Sequence, residues 1–383
     1  MYYYDKKKLK SQLIILRNSM RKSSILSIIL LCVFYTAFAQ DKNPVKFSGY
    51  MFGDYFYNVT RDSTINKVSN KALSGARDFN AFQFRRIYFT YDDEISGTFT
   101  TRFRLEADQA ANTSNNKIGV AVKDAYLNWK NIFAGSDLIF GIQPTPAYDI
   151  SEAAWGYRSL EKTIMDLRGI VPSRDLGVAL RGKLDGDGKI NYWVMIGNED
   201  GNSPASSKFK RYYVNLQVKP VNNLQITLYG DLKTMPETND PTSHVTTPVT
   251  LSNDVYTTAI FAGYNEKDNY NLGVEVFLMS TMHGVNKSGS LQTKSGMGVS
   301  LFGSINLQKE LIAVARYDYF DPNSDSDFKG DSRNYLILGL TYKPDQRVSV
   351  IPNIQYETYE APVSGPYVKS SLTARVTLYY VFL

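Results

Sequence analysis

The sequence predicts an all-β fold, a 16-stranded antiparallel transmembrane β-barrel whose third extracellular loop is helical and folds inward. Three observations predict it. After residue 40, short runs of alternating apolar and polar residues follow one another along almost the whole chain, as in strands with two unlike faces. The connections between these runs alternate strictly between short turns and longer polar loops. No stretch after Phe34 approaches the ~18 consecutive apolar residues that a spanning helix needs, although 28 Tyr and 20 Phe make the chain heavily aromatic. Helices and closed barrels alone satisfy their backbones in lipid, so a membrane protein of this composition is expected to be a closed barrel.

Residues 1–39 read as a secretory signal. Arg21 and Lys22 form its charged region, Ile25 to Phe34 its apolar core, and Ala37-Phe38-Ala39 a small-x-small cleavage site, so the mature chain is expected to start at Gln40. Met20 lies directly before Arg21; a start there would give a signal of ordinary length. Cys32, the single cysteine, is removed with the signal, which excludes disulfides, thiol catalysis and thiolate metal sites. The chain holds 43 Lys+Arg against 37 Asp+Glu; residues 1–39 take seven of the bases and one of the acids, leaving 36 of each. The basic pI belongs to the signal and is no argument for nucleic acid as a partner. Residues 40–383 show no linker or composition break and read as one barrel domain.

Taken in order, the expected strands are 45–59, 79–91, 98–108, 118–130, 137–143, 174–184, 189–197, 208–219, 224–234, 254–264, 270–280, 296–307, 311–321, 334–343, 347–357 and 368–383. Longer loops (60–78, 109–117, 144–173, 198–207, 235–253, 281–295, 322–333, 358–367) follow the odd strands, and short turns follow the even ones. An outer-membrane barrel has this asymmetry, with short periplasmic turns and longer extracellular loops. The last strand puts Leu372, Ala374, Val376, Leu378, Tyr380 and Phe382 on one face. A final strand of this kind, with Phe next to the C-terminus, resembles the signal read by barrel-assembly machinery.

Within strands the apolar residues face lipid and the charged ones a wet lumen; a barrel of this size leaves an aqueous channel. Strand parity turns Arg102, Arg104, Arg181, Arg211, Arg316, Arg347 and Arg375 inward, together with Asp54, Glu106, Asp108, Asp231, Glu275, Asp318 and Glu357. Arg85 and Arg86 are adjacent, so one of them is expected outward or at the rim. Arginine keeps its charge and offers a planar fork to oxyanions, and rings of Arg or Lys select anions. The lumen acids oppose such a preference.

The stretch Pro144 to Pro172 breaks the strand pattern. Asp149 and Ser151 suit a helix N-cap, good helix formers follow from Glu152 to Leu167, and Gly169 suits a stop. The expectation is a single helix in residues 144–173 that enters the lumen and constricts it. Trp155, Leu160, Ile164 and Leu167 would pack on the wall; Arg158 and Glu161, three apart, could pair, or Arg158 could reach into the passage.

Gly141, Gln143 and Pro144, then Trp155, Arg158 and Glu161, then Arg174, Leu176 and Gly177, and finally Gly197-Asn198 give the region 140–220 a resemblance to the phosphate-selective porin O and P family. That resemblance implies a homotrimeric outer-membrane porin, embedded in outer-membrane lipid, that passes small hydrophilic solutes with a preference for anions such as phosphate. The family's lysine-rich site and arginine ladder have no matching motif in this chain. No enzyme is expected: His244 and His283 both fall in predicted loops without a nucleophile or metal-ligand spacing, and no cofactor is implied. The alternative is a barrel anchor or adhesin whose long loops bind a surface partner.

Overall fold

The computed structural model describes residues 45–62, 76–112, 115, 117–243, 248–362 and 365–383. The expected signal, most of the first long loop and His244 lie outside the described residues. The barrel strands are β1 (Lys46–Thr60), β2 (Asn80–Glu94), β3 (Phe99–Asn112), β4 (Ile118–Phe133), β5 (Ser136–Pro144), β6 (Arg174–Lys183), β7 (Ile190–Gly197) and β8 (Arg211–Val221). They continue as β9 (Leu224–Lys233), β10 (Val255–Glu266), β11 (Tyr270–Lys287), β12 (Ser290–Gln308), β13 (Leu311–Asp321), β14 (Arg333–Asp345), β15 (Val348–Tyr359) and β16 (Ser371–Val381). Each pairs antiparallel with its sequence neighbours. β1 then pairs with β16, from Tyr50↔Val381 to Thr60↔Leu372, and closes the ring without a free edge.

Period-2 alternation becomes the two faces of this wall. On β9, Leu228 is exposed between buried Thr227 and Tyr229; on β8, Tyr212 and Val214 are exposed while Arg211, Tyr213 and Asn215 are buried. Phe140, Leu272, Leu301, Leu338 and Val376 continue an apolar outer surface round the ring. A soluble protein puts such residues inside. A closed barrel that puts them outside, with Asp, Glu and Arg inside, is matched to lipid.

Short connections (95–98, 134–135, 184–189, 222–223, 267–269, 309–310, 346–347) gather at one end of the barrel and the longer ones at the other. The expected loop 281–295 is the exception. β11 and β12 run on past the ends expected for them and meet in a two-residue turn at Ser288 and Gly289, both with positive φ (53° and 88°). Positive φ at both central residues is what a tight hairpin of type I′ requires.

β2 also departs from strict alternation. Phe52 pairs with Arg86 and Gly53 with Phe84, so Arg85 is an extra residue opposite the Phe52–Gly53 step. This β-bulge resets the parity of the strand, and both Arg85 and Arg86 find acids on the buried face. Neither points to lipid.

Candidate functional site

Segment 145–173 joins β5 to β6 and holds two short helices, α1 (Asp149–Trp155) and α2 (Ile164–Leu167), in place of the single helix expected. Gly156 is the reason. It adopts the left-handed conformation (φ 68°), its N–H donates to Glu152 O at 3.1 Å, and α1 stops there. The expected caps are also displaced. Tyr148 is the N-cap of α1, and Asp149 and Ser151 lie inside its first turn. α2 ends at Gly169 (φ 66°): Ile170 N–H donates to Met165 O (3.0 Å) and Gly169 N–H to Asp166 O (3.3 Å), the paired bonds of a Schellman stop.

The segment's partners lie on strands spaced round the whole ring. Arg85 of β2 donates to Ser159 O and Leu160 O, 2.8 Å each. Lys123 of β4 donates to Ser173 Oγ (3.3 Å), Asn215 of β8 to Pro146 O (2.9 Å) and Arg211 of β8 to Ile170 O (3.2 Å). Asn271 of β11 donates to Ala154 O, Arg316 of β13 to Lys162 O, and Gln355 of β15 to Leu160 O (3.2 Å). Arg168 pairs with Glu357 of β15 at 2.8 Å.

Apolar contacts run between these anchors. Ile164, Met165, Tyr148 and Val171 pack with Ile139, Met195, Tyr213, Tyr229 and Phe277 of the wall. Trp155 and Leu160 pack with Phe261, Phe302, Val314, Ile337 and Ile351. The Trp155 ring meets Phe302 edge-on at 5.3 Å, and its Nε1 donates to Glu161 O at 2.9 Å. The wall aromatics in these clusters share the strand face that carries the charges. Sequence reasoning assigned that whole face to water and so missed them. Their signal was present: Phe261, Phe277 and Phe302 fall on the face of their strands opposite the lipid-facing residues, where they need a cover.

Each arginine singled out in the sequence has a definite place. Arg102 makes a two-pronged pair with Asp92 (2.7 and 3.0 Å). Arg104 donates to Thr90 Oγ1 at 2.8 Å and lies 3.4 Å from Asp124, which Arg174 also contacts. Arg181 lies over the Trp193 ring. Arg211 joins Asp231 and Glu199, both at 2.9 Å, and Arg316 joins Asp318 at 2.6 Å; both guanidiniums are almost fully buried. Arg375 lies 4.0 Å from Asp54. Arg347 departs from expectation: it sits exposed in the turn before β15, where its N–H donates to Asp345, because the strand begins one residue later. His283, expected in a loop, lies on the extended β11 with Nδ1 2.7 Å from Ser252 O.

Arg158 and Glu161 do not pair, since the chain between α1 and α2 is not helical. Arg158 sits between Glu152 and Asp166, the latter at 2.8 Å, and Glu161 faces Arg85 at 3.8 Å. Burial pushes the Asp166 carboxyl up, but the Arg158 guanidinium outweighs burial and holds it down at about 2. Burial likewise opposes ionisation of Glu161, and Arg85 overcomes it, leaving that carboxyl below its ordinary range.

Opposite Arg158, the buried face of β2–β4 carries Arg86, Arg104, Lys123, Glu106, Asp108 and Asp124. Arg86 contacts Asp108 at 2.8 Å, and Lys123 contacts Glu106 at 3.3 Å. This part of the wall carries charges at the height where β10–β15 carry the apolar side chains that pack on the segment.

No protein-family profile matches the sequence, and no curated protein matches it. Solved structures do match. The outer membrane channel DcaP of Acinetobacter baumannii superposes with a TM-score of 0.64 at 11% identity, over 88% of this chain and 97% of that one. The anion-selective porin from Comamonas acidovorans gives 0.60 at 11% identity, over 89% and 100%. OmpT of Vibrio cholerae gives 0.58 at 15% identity, over 88% and 97%. The chain has the 16-strand barrel fold of bacterial outer-membrane porins. The phosphate-selective family suggested by the sequence is not singled out by these likenesses.

Proposed function

We propose that the protein is a porin of the bacterial outer membrane that lets small hydrophilic solutes diffuse through a water-filled passage, and that segment 145–173 crosses the lumen and sets the width of that passage. One observation carries this reading: the segment is anchored to β2, β4, β8, β11, β13 and β15, strands on all sides of a closed ring. A loop lying outside the barrel could not reach all of them. Its apolar side covers β5–β15, so the passage runs between the segment's polar side and the wall of β1–β4. The neighbours support a channel over an enzyme: they include a protein described as a channel and one described as an anion-selective porin. One OmpT structure is described as a trimer form, which supports a homotrimer here.

Asp149, Glu152, Asp166 and Arg158 line the segment's side of this passage; Arg86, Arg104, Lys123 and Arg174 face them with Glu106, Asp108 and Asp124. The wall has one base in excess and the segment, where Lys162 also reaches Asp166 at 3.5 Å, one acid, which makes a field across the passage. Most of these charges are already paired. The expected selectivity is therefore weak, with anions such as phosphate favoured along the wall. Reversal potentials of refolded 40–383 in a planar bilayer under a salt gradient, followed by phosphate titration, test this. A modest chloride preference with phosphate passing in competition is the expected result; a strong cation preference would overturn the anion assignment. Arg158→Ala should shift the reversal potential towards cations, because it removes a base, frees Glu152 and leaves Asp166 with Lys162 alone at 3.5 Å. An unchanged potential would remove Arg158 from the passage.

A further inference from the structure

A cavity of about 530 Å³ opens beside α1 on the side of the short turns, in the size range of pockets that hold small organic ligands. Tyr50, Lys343 and Tyr379 of the wall and Asp149, Glu152 and Arg158 of the segment line it. Glu152 and Arg158 neutralise each other. Asp149 is exposed and Lys343 half-exposed, and among the described residues neither side chain has a hydrogen-bond or ion-pair partner. One acid and one base thus lack a direct partner in the same chamber, on α1 and on β14, with Arg174 of β6 within electrostatic range of Asp149. The Tyr50 and Tyr379 rings lie 5.8 Å apart beside them and give an apolar surface.

We infer that this chamber is a transient site for a small zwitterion, an amino acid or dipeptide, whose ammonium meets Asp149 and whose carboxylate meets Lys343 while its side chain rests on the tyrosines. The charges favour this class over the others. An anion would gain Lys343 but face the unpaired Asp149, while the Glu152–Arg158 pair offers it no net charge. A cation would gain Asp149 but face Lys343. A neutral carbohydrate would use neither charge. The inference rests on the pore reading, since the chamber is lined by the inner wall and the segment.

The test is interruption of the ion current through the full barrel by glycyltyrosine at neutral pH, compared with N-acetyl-glycyltyrosine amide, which has nearly the same shape and no charge. Glycyltyrosine should interrupt the current in a saturable way and the capped analogue should not. Asp149→Asn and Lys343→Gln should each weaken the interruption about fivefold, the worth of one partly exposed ion pair. Neither change should alter the response to the capped analogue. Equal interruption by both compounds, interruption by maltose but not by the dipeptide, or full interruption in both variants would each overturn the inference. Failure of the pore reading would look different, as a folded barrel with no current at all.

Discussion

Arginine is the residue on which the interior depends. Arg85, Arg168, Arg211 and Arg316 each hold an acid and, except Arg168, also donate to a backbone carbonyl of segment 145–173, so one side chain ties wall to wall and wall to segment. Such buried pairs add little net stability compared with apolar residues, but breaking one strands a charge. On the segment itself the link between Arg158 and Asp166 is testable by pH. The folded-state value of Asp166, about 2, lies below its ordinary 3.8, so its ionised form stabilises the fold above about pH 4, and this is lost as pH falls through 2. Asp166→Asn should therefore be less stable than the parent by about 2 kcal/mol at neutral pH. In denaturant titrations in micelles that gap should close between pH 4 and 2. A gap independent of pH would mean that the ion pair is not its source.

Among the elements, segment 145–173 is held more by packing than by helical propensity. α1 and α2 are seven and four residues long, too short to persist alone, and their order comes from the two apolar clusters. Trp155, 1% exposed and hydrogen-bonded through its indole, is the largest side chain in this contact. Trp155→Ala should destabilise the contact by about 3–5 kcal/mol. Because the barrel wall keeps its own ladder, the expected readout is a larger and noisier single-channel current, not loss of the barrel. An unchanged current would mean that this end of the segment does not bound the passage.

At this scale the sequence was only partly legible. Helix formers and Gly169 marked where the strand pattern breaks, but Gly156 divides the helix, and its φ is set by the fold around it. Arg85 could not be placed by parity, because counting by twos has no means of detecting a bulge. The inward aromatics were visible as residues, and only the closed ring shows that they need the segment as a cover. Outside the long β11–β12 hairpin the strands were legible to within about four residues of their ends, since one face against lipid and one towards the lumen imposes alternation.

The whole molecule is an inverted one, with its apolar side chains outward and its charges inward. Leu228, half exposed in the middle of β9, samples the outer surface. Leu228→Arg should cost about 2–4 kcal/mol of folding into bilayer vesicles if this position lies near the bilayer midplane. A change near zero would mean that the surface does not face hydrocarbon. In the interior, segment 145–173 is proposed to narrow a wide barrel to a solute-sized passage. The most direct measurement is the single-channel conductance of the parent beside a variant in which residues 149–167 are replaced by a short Gly-Ser linker, both shown by circular dichroism to be folded barrels. The parent should conduct in discrete steps and the variant several-fold more, as expected when the narrowest section of an aqueous path is removed. Equal conductance in the two, or none from the folded parent, would contradict the account.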